Sequence, residues 1–278
     1  MNKDVIVAGL SDMHSGSGVS LFPKRFWQGQ HNNHTPTQEQ KDIFDHYEKC
    51  AELVRDMRKG KRLIVVHDGD AIEGFHHNSP QVVTRLTVEQ VDIHTELMDF
   101  FLRRVNFRGE DKLYYTKGTE VHVNDDEEIC AADLGAVETE AGFHVFNKLN
   151  LNINGRRFVF VHQGPTAGKG ANKGNAMRNW LRDAFFESLE EGEEPPDMVE
   201  TGHTHDPFYN CYVQNYRGGY HVIHGIINPS WQMKTRYAHM VAPITKNKVG
   251  MSITEVTAGG DIRPPLIPVL KERTERPK

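Results

Sequence analysis

The chain has 278 residues, enough to bury a large core within one elaborated α/β domain. Lysine and arginine total 33 against 38 for aspartate and glutamate, a net charge of −5, which argues against holding nucleic acid mainly by an overall field and leaves room only for local basic patches. Cys50, Cys130 and Cys211 form no CxxC pair, and no stretch approaches the roughly 18 apolar residues of a membrane span, so a disulfide framework, a Cys–zinc site and membrane insertion are disfavoured and a reducing cytoplasm is expected.

In chain order, Val5 to Leu10 is continuously apolar and reads as a strand buried on both faces, reached directly from Met1-Asn2-Lys3-Asp4 with no leader-like run. A polar, aromatic-bearing insertion over 15–35 follows, too long for an ordinary connection and read as a lid or a mobile segment. Thr35-Pro36-Thr37-Gln38 offers an N-cap, Pro at the first helical position and a capping-box Gln. From there Ile43, Phe44, Tyr47, Ala51, Val54 and Met57 recur at helical spacing until Gly60. Leu63 to Val66 is a second buried strand, Val82 to Val105 a helix, Lys112 to Thr116 a third strand, and Asp126 to Ala136 a short helix whose first-turn acids suit the helix dipole.

Beyond Phe143 the period becomes two. Leu149, Leu151 and Ile153 alternate with asparagines, and Asn154-Gly155 turns into Arg156–Val161, a hairpin signal. A helix is predicted over Ala171–Leu189, a strand at Met198-Val199, a hairpin of Tyr209–Tyr216 with Tyr220–Ile227, and a last strand over Met251–Val256. The expected organisation is one domain over 1–262 and a disordered, Pro-rich, mixed-charge tail over 263–278.

Five segments at strand ends carry oxygen and imidazole ligands: Asp12-Met13-His14, Gly69-Asp70-Ala71-Ile72-Glu73-Gly74, Gly118-Thr119-Glu120-Val121-His122, Val161-His162-Gln163-Gly164 and Gly202-His203-Thr204-His205. Ligands gather beyond the carboxyl ends of strands in open α/β sheets, so the five can converge on one site. A mixed N/O set suits Mn²⁺, Fe or Zn²⁺ better than the all-oxygen shells of Ca²⁺ and Mg²⁺. The expected cofactor is two divalent cations, Mn²⁺ first, with Fe, Zn²⁺, Ni²⁺ and Mg²⁺ as alternatives. Two cations roughly 3.5 to 4 Å apart can hold a bridging hydroxide and clamp an in-line phosphoryl displacement, so phosphate ester hydrolysis is the natural reaction.

Taken in order, these segments resemble the calcineurin-like metallophosphoesterase superfamily, whose pattern runs D-x-H, G-D-x-x-[DE], G-N-H-[DE], a lone His after a strand, and G-H-x-H. The resemblance runs from Asp12 to His205 and implies a four-layer αββα sandwich of two mixed β-sheets. It implies metal ligation by Asp12, His14, Asp70, His162, His203 and His205, with Asp70 bridging. The third segment departs from the pattern. Either Thr119 replaces the usual Asn, or Glu120 supplies a carboxylate while His122 replaces the catalytic His, as general acid or as a cation beside the leaving oxygen. The second alternative is preferred. The Gly-Thr-Glu-x-His form is similar to what phage-borne members are expected to carry.

Gly74 stands where the resembling protein phosphatases carry an Arg clamp for dianionic monoesters, so a phosphodiester, DNA or RNA among them, is the expected substrate. A phosphomonoesterase and a metal-dead binding scaffold are the alternatives. Candidate substrate contacts are Glu73, His77, Asn78, Lys169 and Lys173, the last two on a Gly-rich run that lacks Walker A spacing and is otherwise a solvent loop. His67 and Asp68 are expected to be structural, His31 and His34 to belong to the insertion, and Trp231 to pack rather than stack on a base.

Overall fold

The computed structural model describes residues 3–75, 81–123, 125–235, 240 and 247–271. The chain runs β1 (Val5–Leu10), β2 (Trp27–Gln28), β3 (Asn33–His34), α1 (Gln38–Met57), β4 (Arg62–Asp68), α2 (Thr87–Arg104), β5 (Lys112–Thr116), α3 (Glu120–Val123) and α4 (Asp126–Asp133). It continues through β6 (Val145–Phe146), β7 (Leu149–Ile153), β8 (Arg156–Phe160), α5 (Asn175–Glu190), β9 (Met198–Thr201), β10 (Phe208–Tyr216), β11 (Gly219–Ile227), β12 (Lys248–Gly250), β13 (Ser252–Val256) and β14 (Val269–Lys271). The protein is mixed α/β.

Two five-stranded sheets carry the architecture, in the orders β13-β1-β4-β5-β6 and β10-β11-β9-β8-β7. β1, β4, β5 and β6 are parallel with β13 antiparallel at the edge, while β8, β9 and β11 are parallel and flanked by antiparallel β7 and β10. The unbroken apolar runs are explained by side-chain alternation. Ile6, Ala8 and Leu10 of β1 join Ile43, Tyr47 and Val54 of α1 and Leu97 and Phe101 of α2 in one core. Val5 and Val7 point the other way, meeting Phe158, Phe160, Met198 and Ile226 of the second sheet. That sheet's opposite face, through Val159, Val199 and Ile223, packs on Met177, Leu181 and Phe185 of α5.

Several boundaries differ from the sequence reading. The cap of α1 is Thr37, not Thr35: Thr37 Oγ1 accepts from the Gln40 amide (3.2 Å) while Gln40 Oε1 accepts from the Thr37 amide (3.1 Å). A true capping box two residues later therefore wins over the Pro-led one, and His34, 2.7 Å from Gln40 Oε1, fastens the preceding hairpin to it. The helix expected from Val82 begins at Thr87, because Val83 is bound to Gly16 through its amide. The helix expected from Ala171 is interrupted at Gly174, whose φ of +87° a helix cannot hold.

The insertion is anchored by part of its length. Leu21, Phe22 and Trp27 are buried in the core, Leu21 is tied to the Trp231 carbonyl, and Phe22 meets Trp27 and His34 edge-on. The described part of the tail is packed: β14 pairs with β12, Leu266 bridges to Ile253 through its backbone, and Ile267 and Leu270 cover their apolar surface against the cores. Residues 272–278 lie outside the described residues. Trp231 is fully buried against Tyr47 at 4.9 Å, which removes it as a base-stacking platform.

Candidate metal centre

All five segments converge at the carboxyl ends of parallel strands. Asp12 and His14 follow β1, Asp70 and Glu73 follow β4, Thr119 and His122 follow β5, His162 follows β8, and His203 and His205 follow β9. The loops are zipped by their backbones: the amides of Asp12, His14 and Ser15 donate to the carbonyls of Gly69, Asp70 and Ala71, the Glu73 amide donates back to Ser15, and the Gly202 amide donates to His162. Gly118 is required by close approach, since a Cβ there would collide with the Asp70 amide and carboxylate.

Backbone strain marks the same place. Among the described residues eight non-glycine residues have positive φ, and five of them are Asp12, His14, Asp70, His203 and His205. Left-handed conformations at such residues persist where the surroundings over-determine them, and they cluster at functional sites.

Three overlapping groups of side chains could hold metal ions: Asp12 with His14 and His205, His14 with Asp70 and His122, and Asp70 with His162 and His203. Asp12 Oδ1 lies 3.1 Å from His205 Nε2 and 3.8 Å from His14 Nε2, and Asp70 Oδ2 lies 3.1 Å from His162 Nε2 and 3.9 Å from His14 Nε2. His14 Nε2 and His205 Nε2 face each other at 3.2 Å. Two nitrogens each about 2.0 to 2.1 Å from one cation sit about 3 Å apart across a coordination edge, so these spacings fit shared ions.

The rings are oriented from behind. His162 Nδ1–H donates to the Asp68 carbonyl at 2.7 Å, and His14 Nδ1 faces Glu73 Oε2 at 3.1 Å, so each ring presents Nε2 inward. Burial would raise Asp12 and Asp70, but imidazole charge outweighs it: His205, His162 and His14 hold Asp12 below the usual carboxylate range, and His162 with His14 holds Asp70 at about 2. Burial would lower His14 and His162, yet Glu73 and Asp70 hold His14 up at about 9, and Asp70 with Asp12 holds His162 up at about 10. Protons bound this way are what divalent cations displace.

Thr119, not Glu120, enters the centre. The Thr119 amide donates to Asp70 Oδ1 at 2.6 Å, and its Oγ1 lies 3.4 Å from both His162 Nε2 and His203 Nδ1. The Glu120 side chain is 85% exposed and stands 3.9 Å from Lys117 Nζ, because the α3 turn that begins there directs it to solvent. Of the two alternatives, the structure turns Glu120 away from the centre and brings Thr119 into it. Glu73, expected as a substrate contact, is buried against His14 and Gln232 and stands behind the His14 ring.

His122 arrives beside the centre, its ring edge-on to His14 at 4.7 Å, with Nδ1–H donating to the Glu73 carbonyl at 2.9 Å. Burial, then the His14 charge, pushes it below the ordinary imidazole value, so a standing cation is disfavoured and a neutral ring is the resting form. Lys169 and Lys173 are exposed on the following loop, Lys173 over the Phe208 ring at 5.3 Å from its centroid. His77 and Asn78 lie outside the described residues. His67 stacks on Tyr115, and the Asp68 carboxyl accepts from Thr116 Oγ1 at 2.5 Å, both structural.

The sequence reading missed Glu127. Its buried carboxylate accepts from the Ala71 amide (3.1 Å) and the Gly118 amide (2.7 Å), clamping the residues beside Asp70 and Thr119. No local signal distinguishes it from its neighbours Asp126 and Glu128.

Mixed α/β architecture with buried His/Asp groups that could hold metal ions is therefore the class of this protein. Among the described residues no helix is long and apolar enough to cross a membrane. No family model and no curated protein matches the chain. Solved structures similar to it include a protein of unknown function from Aquifex aeolicus, at 14% identity over 77% of this chain and 83% of that one with a TM-score of 0.29. Another is a metallophosphoesterase from Sphaerobacter thermophilus, at 11% identity over 96% of this chain and 89% of that one with a TM-score of 0.33. Similarity at that level defines no family, and the function rests on this chain's own residues.

Proposed function

We propose that the chain is a dinuclear metallophosphoesterase of calcineurin-like αββα sandwich form that hydrolyses phosphodiesters in a reducing cytoplasm. The observation that carries the reading is Asp70, which belongs to two of the three ligand groups and so stands where a carboxylate can be shared by two ions. Asp12, His14 and His205 would hold one ion, and His162, His203 and Thr119 the other, with Mn²⁺ favoured by the mixed donors. When bound, the cations supply Lewis acidity toward phosphoryl oxygens and lower the pKa of water.

The protein's own contribution is orientation and proton handling. Glu73 and the Asp68 carbonyl aim the Nε2 atoms of His14 and His162 inward. Neutral His122, its Nδ1–H held by the Glu73 carbonyl, can take a proton at Nε2 from attacking water and return it to the departing oxygen. Diesters are favoured because position 74 cannot offer a cation: a side chain there would run into the His122 backbone. Without such a clamp a dianionic monoester gains little over a singly charged diester.

The test is hydrolysis of bis-p-nitrophenyl phosphate against p-nitrophenyl phosphate, using protein stripped of metal and reloaded with Mn²⁺. The expected result is a metal-dependent preference for the diester. A monoester preference overturns the diesterase reading, and the absence of both Mn²⁺ uptake and turnover returns the chain to a binding scaffold.

A further inference from the structure

Beside the side chains of His162, His203 and Thr119 lies a groove of about 570 Å³ that shares Thr119 and His162 with them. Its remaining wall includes Lys117, Val121, Asn147 and Gln163. The topology brings these together. β5 and β6 run parallel with Thr116 opposite Phe146, so Lys117 and Asn147 are the first residues past two adjacent carboxyl ends, and the Lys117 amide is tied to the Phe146 carbonyl at 2.9 Å. Gln163 follows His162 at the end of the neighbouring sheet's β8.

The chemistry of the wall is specific. It carries one ammonium group with the Glu120 carboxylate beside it, two exposed side-chain amides and an aliphatic patch in which Val121 is half exposed. An ammonium takes a phosphate as a point charge, and amides pair with the polar edges of bases. The volume falls in the range of small-molecule sites of about 300 to 1,000 Å³. The groove's one aromatic ring, His162, is turned to Asp70 and the other candidate ligands, so a base there is held by its edge and by aliphatic contact rather than by stacking.

We propose that this groove holds the nucleotide next to the scissile linkage of a single-stranded polynucleotide, with its neighbouring phosphate on Lys117 and its base beside Asn147 and Gln163. This rests on the phosphodiesterase reading and names the substrate class within it. Glu120, 3.9 Å from Lys117 Nζ and almost wholly solvated, tempers that cation and weakens phosphate capture. The groove selects for a second phosphate, which a simple diester lacks.

The experiment compares kcat/KM for a single-stranded hexanucleotide and for bis-p-nitrophenyl phosphate, at several salt concentrations, in Mn²⁺-loaded wild type, Lys117→Ala and Glu120→Gln. In Lys117→Ala the expected result is a KM for the oligonucleotide about tenfold higher with kcat held, an oligonucleotide-to-diester ratio lower by about the same factor, and a salt slope shallower by about 0.7. Glu120→Gln is expected to move the ratio the opposite way. A wild type that cleaves the small diester yet gains nothing from the oligonucleotide, or a ratio indifferent to Lys117→Ala, overturns the groove assignment and leaves the diesterase reading standing. A ratio that favours a phosphopeptide over the oligonucleotide overturns it as well. Hydrolysis of neither diester overturns both.

Discussion

Glu73 Oε2 stands 3.1 Å from Nδ1 of His14 and accepts from Gln232 Nε2 at 2.7 Å, so one buried carboxylate oxygen is shared between a candidate ligand and a residue far along the chain. The arrangement leaves His14 Nε2 facing Asp12, Asp70 and His205. Glu73→Gln breaks it. An amide that offers oxygen to His14 must offer NH₂ elsewhere in a packed site where two donors already converge. Carboxylates behind metal-bound histidines are worth 10- to 100-fold in metal affinity or activity. Calorimetric titration of the stripped variant with Mn²⁺ is expected to show a loss of about that size with the fold retained, and an unchanged affinity removes Glu73 from the centre.

Thr119 and Glu120 separate cleanly by variant. Thr119 Oγ1 lies among Asp70, His162 and His203, whereas Glu120 faces solvent beside Lys117. Thr119→Ala is expected to weaken or abolish the second Mn²⁺ equivalent, and Thr119→Asn, which supplies a better carbonyl donor, to strengthen it. Glu120→Ala is expected to leave the Mn²⁺ stoichiometry at two. Metal analysis after dialysis reads both, and loss of an equivalent in Glu120→Ala would restore Glu120 as a ligand.

What the sequence made legible divides along physical lines. Strands buried on both faces, such as Val5–Leu10 and Leu63–Val66, need unbroken apolar runs, and the Asn154-Gly155 turn fixes a hairpin by local chemistry alone. Asp12, His14, Asp70, His162, His203 and His205 could be named because strand ends deliver them at short, ordered spacings, and the structure brings all six together. The direction of the Glu120 side chain is not legible, because in the loop after β5 it depends on the α3 turn, which no period announces. Glu73 and Glu127 act through partners on other loops, Gln232 for the first and the amides of Ala71 and Gly118 for the second, and pairings of that kind leave no local trace.

Glu127 offers a test of how the loops are held. Its carboxylate takes two backbone amides from two different loops, and an amide left buried without an acceptor costs about 1 to 3 kcal/mol. Glu127→Ala orphans both and is expected to lower stability by roughly that amount per amide in urea unfolding. Glu127→Gln keeps one acceptor and is expected to fall between the alanine variant and the wild type. Phosphodiesterase activity measured well below each variant's melting temperature is expected to fall in the same order, because Asp70 and Thr119 lose their shared anchor. Activity equal to wild type in Glu127→Ala would show that backbone zipping alone positions the loops.

Glu200 gives the protein a pH dependence in its interior. The side chain is fully buried between the sheets, where Oε2 accepts from Ser252 Oγ at 2.9 Å and Asn228 Nδ2 at 3.3 Å, and burial pushes its carboxyl up from 4.5 to about 7. A carboxyl that binds its proton more tightly folded than unfolded makes stability fall as pH rises between those two values and level off above the higher one. The span corresponds to about 3 kcal/mol, and Glu200→Gln, near in shape and never charged, removes it. Urea unfolding at pH 5 is expected to give wild type and variant similar stabilities, with Glu200→Gln pulling ahead as the pH rises to 8. A gap between the two that stays constant with pH would mean that the wild-type carboxylate is stabilised in place by partners beyond Ser252 and Asn228, and that the interior tolerates its charge.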